Sequence, residues 1–479
     1  MTRLTPPRPS TRRLRRRPAR RGVALVMVIA SLTVLTVMLA EFQDDTSASL
    51  GSALVERDRL KAEYAARSAV NLSRLLIAAE PTIRKAIAPL FLMTRRAPPQ
   101  IPVWEFADQV LGAFGDQDGT QAFAALAGVD VSEGKNLGFE GAGFRVSIVD
   151  EDSKINVNAA ARGDSISKAR LAAQLLGLMT GPQHDAMFEN RDADGNFSDR
   201  QTICSAIIDW ADFDQEAFPC DPHSGVATAA LAEEPYYELL KPPYARKNAA
   251  FDSLEELRLV RGVGDDFWAA FVEPDADDPR SRTLTVWGQG AINVNTANAQ
   301  TIYAVVCGSA VEGTALCTDP LEAAKFLSAL DIVRTFTAGA PLFSSPRGFV
   351  NALKGRGMFG TVLAALELQP VVLRSDAEME KAITTESKVF GVHATGYVRA
   401  GTRETRTTVH AVVDFRGAPP PGAPPTAALL DALEALGGRT PPLAGAGATT
   451  ALPEGATPDA IAAAFQPSPA GYVVHYAIR

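Results

Sequence analysis

Arg20-Arg21-Gly22-Val23-Ala24-Leu25-Val26-Met27 opens an apolar run that continues without a charged residue to Ala40. As a helix rising ~1.5 Å per residue, Val23 to Ala40 is about long enough to span a bilayer. The leader before it, residues 1–22, carries nine arginines and no acidic residue. By the positive-inside rule such a leader stays in the cytoplasm, so everything beyond Ala40 is expected on the other side. From Glu41 to Ala79 the chain has no proline and is rich in Ala, Leu, Arg and Glu, with Tyr64, Ala65, Ser68, Leu72, Leu75 and Leu76 at helical spacing. The membrane run and this stretch are predicted to be one long helix, ended by Glu80-Pro81.

Further on the period changes. Phe144-Arg145-Val146-Ser147-Ile148-Val149 alternates like a half-buried strand and runs into the acidic turn Asp150-Glu151-Asp152-Ser153-Lys154. Two more strands are expected at Val389–Val398 and Thr405–Phe415, turning at Gly401, with a mostly helical block between the first strand and this pair. The fold class that follows is α+β: a long N-terminal helix on an antiparallel sheet, with a large helical domain inserted between strands distant in sequence. The boundaries are a leader over 1–22, a transmembrane part over 23–40, the helix and first strands over 41–150, the insert over 151–385, returning strands over 386–416 and a Pro/Gly/Ala-rich extension over 417–479. Within the extension a short helix is expected near Ala427–Leu436, and Gly471–Ile478 reads as a final strand. The insert repeats itself: Ile155-Asn156-Val157-Asn158-Ala159-Ala160 is echoed by Ile292-Asn293-Val294-Asn295-Thr296-Ala297, and Phe251-Asp252-Ser253-Leu254-Glu255-Glu256-Leu257 leads to Arg261-Gly262-Val263-Gly264. These phrases resemble helix-hairpin-helix or SAM-like modules, in which Asn caps helix starts and Gly permits positive φ.

The order of leader, glycine and apolar helix resembles a prepilin-type leader, in which the peptidase cuts after glycine and leaves the helix attached. That reading makes Gly22–Val23 the scissile bond and Val23 an N-methylated N-terminus. An uncleaved signal anchor shares the basic flank, so the rest of the chain decides. Pilin-like proteins mostly carry glutamate at the fifth mature position; here that position is Met27, which suits a tip subunit with no neighbour above it. With Asp150 to Asn158, Asp209-Trp210-Ala211-Asp212-Phe213-Asp214, Glu234-Pro235-Tyr236-Tyr237, Leu254 to Val263 and Ile292 to Ala297 in order, the chain resembles the minor pseudopilin K family of type II secretion systems over about residues 20 to 415. The resemblance implies a non-enzymatic tip subunit in the inner membrane with its large domain in the periplasm. It also implies partnership with the I and J minor pseudopilins, the major pseudopilin and the prepilin peptidase. The long leader, the C-terminal extension and Glu234-Pro235 depart from the family pattern.

Removing the leader with its nine arginines takes the formal charge from −8 to −17, and so acidic a body is poorly suited to nucleic acid. The cysteines fall into two short-range pairs, Cys204 with Cys220 and Cys307 with Cys317, read as local disulfides; a four-thiolate zinc site is the alternative, without any CxxC spacing to support it. Asp209, Asp212, Asp214 and Glu216, with Glu233 and Glu234 soon after, place hard oxygens beside the Cys204–Cys220 loop. Such donors suit calcium, as the resemblance also implies, and a solvated acidic face is the plainer reading. Asn190, Asp192, Asp194, Asn196 and Ser198 reproduce the first half of an EF-hand loop, but Gln201 stands where the bidentate glutamate belongs. The histidines, His184, His223, His393, His410 and His475, are scattered, and no HExxH or GxSxG phrase occurs, so no catalytic constellation is expected. The rival function is a membrane-anchored helix-hairpin-helix DNA receptor of a competence-type system. Arg258 and Arg261 suit it, whereas Asp265 and Asp266 do not.

Overall fold

The computed structural model describes residues 21–91, 98–112, 141–189, 191, 197–221, 235–337, 339–419 and 468–479. The leader up to Arg20, the ligand candidates Asn190, Asp192, Asp194, Asn196, Glu233 and Glu234, and the expected helix at Ala427–Leu436 lie outside the described residues. Two compact units divide at Leu60 and Lys61.

The first unit is the start of helix α1, Arg21–Phe91. Among the described residues this is the one helix long and apolar enough to cross a membrane, with a mean hydropathy of 2.7 in its most apolar window. Its few hydroxyls are satisfied internally: Ser31 donates to the Met27 carbonyl at 2.8 Å, Thr33 to that of Ala30 at 2.8 Å and Thr36 to that of Leu32 at 2.9 Å. A lipid-facing helix has no other partner for such groups.

In the second unit, from Lys61, α1 packs small residues onto a four-stranded sheet. The strands are β1 (Ala142–Asp150), β2 (Val389–Ala400), β3 (Arg403–Asp414) and β4 (Tyr472–Ile478), side by side in that order and antiparallel throughout. Period-two alternation brings Phe144, Val146 and Ile148, then Phe390, Val392 and Ala394, then Val409, Ala411 and Val413 into one core with Ala65, Ala66, Ala69, Val70 and Ile77. Each large aliphatic side chain so buried contributes roughly 1.5–3 kcal/mol. The helix comes close enough that a Cβ on Gly396 would collide with the Ala62 carbonyl, so strand and helix meet backbone to backbone there. Helix α1 does not stop at Glu80-Pro81 as expected but runs on to Phe91 with Pro81 inside it. The lost hydrogen bond is offset by contacts on the far side: Arg84 lies 3.3 Å from Glu80 and 2.5 Å from Glu386, and Glu80 accepts from the Ile101 N–H at 3.0 Å.

The chain leaves the sheet after Asp150 and re-enters it at Val389. Between these points a second core forms around Leu171, Leu175, Ile207, Phe271, Ile302, Val306 and Phe349. It is built from α2 (Ser165–Leu178), α3 (Arg200–Ala211), α4 (Ala299–Ser309), the 17-residue helix Pro320–Phe336, α5 (Pro346–Leu353), α6 (Gly357–Ala365), and several shorter helices and 3₁₀ turns. Asp164, Asp199 and Asn298 cap α2, α3 and α4 by accepting from N–H groups three residues on. The two Asn phrases form short parallel pairs: Ile155-Asn156 with Leu284-Thr285, and Ile292-Asn293 with Ile383-Thr384.

Candidate functional site

Three places in the second unit concentrate polar chemistry. At the junction of sheet and insert, three consecutive acids at the end of β1 are buried. Asp150 Oδ2 accepts from the hydroxyls of Thr296 and Ser387, and its Oδ1 from the Asp152 N–H at 2.9 Å. Glu151 accepts from the Thr285 hydroxyl at 2.6 Å and lies 3.4 Å from the Lys154 ammonium. Asp152 accepts from the N–H groups of Gln289, Lys388 and Val389 at 2.7, 2.7 and 3.1 Å. One turn thus ties outgoing chain, insert and returning strand together. Burial pushes the Asp150 carboxyl up to about 7, reinforced by the neighbouring Asp152, whose own value burial raises to about 6 against three N–H donors. Burial also acts on Glu151, but Lys154 and Thr285 outweigh it and hold it below the usual range.

The histidines are less scattered in space than in sequence. His393 and His410 stack with ring centroids 4.3 Å apart, and His475 follows at 5.3 Å from His410. Burial lowers His393 to about 3 and His410 to about 4, so both are neutral imidazoles. They lie on the sheet face away from α1, where Gly391 leaves room for Glu151: a Cβ there would sit 2.5 Å from the carboxylate.

The twin Asn phrases do equivalent work. Asn156 accepts from the Asn158 N–H at 2.9 Å and Asn293 from that of Asn295 at 3.0 Å. Asn158 then holds Phe251, accepting from its N–H at 2.7 Å and donating to its carbonyl at 2.9 Å; Asn295 holds Phe343 in the same way at 2.9 and 2.9 Å. The second Phe segment was not expected. Phe343-Ser344-Ser345-Pro346 leads through α5 to Lys354-Gly355-Arg356-Gly357 just as Phe251-Asp252-Ser253 leads to Arg261-Gly262-Val263-Gly264. The repeated Phe-x-Ser phrase, followed by Gly-x-Gly, was the available signal. The cations proposed for DNA are engaged locally: Arg258 pairs with Asp265 at 2.6 Å and covers the Trp268 ring, and Arg261 donates to the Phe197 carbonyl at 2.9 Å.

The third place is the acidic loop. Both disulfides form, Cys204–Cys220 and Cys307–Cys317, and the first closes the segment holding Asp209 to Glu216. Its four acids do not converge. Asp209 turns to the Phe218 N–H at 2.9 Å, and Asp214 Oδ1 accepts from the Glu216 N–H at 2.9 Å. Asp212 and Asp214 instead share Lys168 of α2, whose Nζ lies 2.7 and 2.6 Å from their Oδ2 atoms. Burial raises the Asp212 carboxyl; for Asp214 the Lys168 ammonium and the Glu216 N–H overcome burial and lower it. Asp212 is fully buried, and its Oδ1 has no hydrogen-bond partner among the described residues. No three acids, histidines or cysteines among the described residues are arranged around one metal position. The position between the two carboxylates, where a cation would sit, is taken by the Lys168 ammonium. Ser198, the described member of the EF-hand-like phrase, is 3.3 Å from Arg261 Nε.

The inserted domain has known relatives. Residues 153–272 match the family model for type II secretion system (T2SS), protein K. This stretch is similar to the type II secretion protein K family over 120 of the 479 residues. The protein K match begins at Ser153, inside the acidic turn, takes in the first Asn phrase, Lys168 and the Asp209–Glu216 segment, and ends at Val272. No curated protein matches the chain. Among solved structures, a chain of the GspK-GspI-GspJ complex from the type 2 secretion system of enterotoxigenic Escherichia coli is similar at 14% identity with a TM-score of 0.36, over 58% of this chain and 76% of that one.

Proposed function

We propose that the chain is a non-enzymatic minor pseudopilin that starts and caps the type II secretion pseudopilus. It would be cut after Gly22, methylated at Val23 and anchored by α1 in the inner membrane with its body in the periplasm. The observation that carries this reading is the combination of the apolar α1, which runs on as a helix to Phe91, with an insert between β1 and β2 whose residues 153–272 match the protein K family model. The I and J minor pseudopilins are proposed as tip partners, as the resemblance of the sequence to minor pseudopilin K implies. The insert would be too wide to admit a subunit above it. Calcium is not proposed at Asp212 and Asp214, whose bridging position the Lys168 ammonium fills, but at the Asn190–Ser198 phrase. Bound there, the ion would supply charge neutralisation that rigidifies the loop, not catalysis.

The test is the mass and N-terminal sequence of the membrane-extracted chain, with and without co-expressed prepilin peptidase. A chain beginning at methylated Val23 only with the peptidase supports the reading. An intact leader in both preparations removes it. Co-purification with the I and J subunits, dependent on all three, is the accompanying expectation.

A further inference from the structure

The sheet has two edges, and they are finished differently. On the β1 side the short helix Ala107–Gly112 packs against the strand, and Asp108 Oδ1 accepts from the outward Val146 N–H at 3.3 Å. On the β4 side Arg479 exchanges hydrogen bonds of 3.0 and 2.8 Å with Thr408, and the pairing is regular back to His475. By the alternation of an antiparallel ladder, His475 and Ala477 also turn their backbone to β3, while Tyr476 and Ile478 turn theirs outward. Among the described residues no hydrogen bond reaches those outward groups. The side chains are as uncovered as the backbone. Ile478 and Tyr476 lie opposite Val409 and Ala411, on the face that α1 covers, yet the core under α1 takes residues from β1, β2 and β3 and none from β4. Tyr472, Val473, Val474, Tyr476 and Ile478 are 41–47% exposed, and the strand has no charged residue and no proline. Edge strands are ordinarily guarded by such residues against pairing with another chain.

We propose that β4 is a docking edge for an extended, uncharged segment of another polypeptide, which joins the sheet as a fifth strand. The free N–H and C=O groups decide the kind of partner: at a strand edge they are matched in line only by the backbone of another extended chain. The lack of charge on β4 decides its composition, since a lysine or carboxylate set against Tyr476 or Ile478 would be desolvated with no opposite charge to meet it. The partner therefore carries apolar side chains at alternate positions, beside Tyr476 and Ile478. A second copy of this chain is the poorer occupant. The five side chains offer on the order of 400 Å² of apolar surface, about half of the ~800 Å² per partner that a stable pair of folded proteins buries. A linear segment needs less, because main-chain hydrogen bonds supply its affinity. Arg74 prepares the edge by donating to the Ala470 and Gly471 carbonyls at 3.0 and 2.9 Å, which ties the start of β4 to α1.

The test is the fluorescence anisotropy of a fluorescein-labelled peptide, Lys-Thr-Val-Thr-Val-Thr-Val-Lys, titrated with the full chain in detergent, with detergent micelles alone as the blank. Saturable binding to the parent is expected. Tyr476→Lys puts a charge on the edge, and Tyr476→Pro removes one outward N–H without touching the pairing with β3; each should weaken binding by about tenfold or more. A peptide with proline for its middle valine should not bind. Ile478→Lys takes the place of either variant that does not fold. No saturable binding to the parent beyond the micelle blank would overturn the proposal, as would equal binding by the edge variants or of the proline peptide. So would a parent that sediments as a dimer and becomes monomeric as Tyr476→Lys, since a second copy then fills the edge.

Discussion

Asp150 accepts from two hydroxyls and a backbone N–H, and its pH behaviour follows from having no water to help it. Its folded value of about 7 lies above the ordinary 3.8, so the folded chain keeps a proton that the unfolded chain has lost. That contribution is full in acid and fades as pH rises towards about 7. His393 and His410 act in the opposite sense: at about 3 and 4 they sit below the ordinary 6.5, and their contribution is lost as pH falls from 6.5 through those values. Asp150→Asn keeps an acceptor for Thr296 and Ser387 but removes the titration. Its melting temperature relative to the parent should therefore improve steadily between about pH 4 and about pH 7 and level off above that. A pH-independent difference would mean that Asp150 is not the titrating group. The acidic turn was legible as a turn, because Asp150 to Lys154 follows an alternating strand. Its partners were not, since no local pattern links Asp150 to Thr296 or Ser387, and nothing in the spacing of Lys168 foretold that it would reach Asp212 and Asp214.

At the scale of elements, α2 and α4 cross at two glycines. A Cβ on Gly177 would collide with the Ala304 carbonyl, and one on Gly308 with the Ala173 carbonyl. Both obstacles are helix backbone, which cannot rotate away as a side chain can. Gly308→Ala should therefore destabilise the insert by about 1–3 kcal/mol or more despite alanine's better helix propensity, read as a lowered denaturant midpoint. An unchanged or raised midpoint would show that the helices slide apart freely. The Cys204–Cys220 bridge closes a 16-residue separation, and replacing both cysteines by serine should cost roughly 3 kcal/mol in the same assay. A loss below about 0.5 kcal/mol would mean that the loop is already ordered by Lys168 and by the packing of the Trp210 ring against Tyr237 and Phe251. Element types were the readable part: alternation at Phe144–Val149 and Val389–Val398 became β1 and β2, and the final Tyr472–Ile478 became β4. The end of α1 was misread because a proline rule is local, whereas Arg84 and Glu386 hold the helix beyond Pro81 from 302 residues apart. The second Phe segment was missed although its period was present, because proline replaces Leu254 in the phrase and hides the likeness.

For the molecule as a whole, the proposed tip role has to account for methionine at position 27, where pilin-like helices mostly carry an acid. Met27 is exposed on α1 among Val23, Leu25, Val26, Val28 and Ile29, so in lipid it faces hydrocarbon or a neighbouring helix. A carboxylate there is tolerated when a partner's amino group answers it, and an unanswered one costs about 2.5–3.5 kcal/mol on insertion scales. A subunit with neighbours below but none above has its own amino terminus to offer and receives none. On that argument Met27→Glu should lower the amount of membrane-inserted chain and the secretion it supports, while Met27→Leu leaves both unchanged. The measurement is cargo in the medium, normalised to inserted chain, in cells where this subunit is the one supplied in trans. If the glutamate variant secretes as well as the parent, the acid finds a partner and position 27 says nothing about the tip. If it secretes less per inserted chain, the defect lies in assembly and not merely in insertion, because the normalisation has already removed the cost of entering the bilayer.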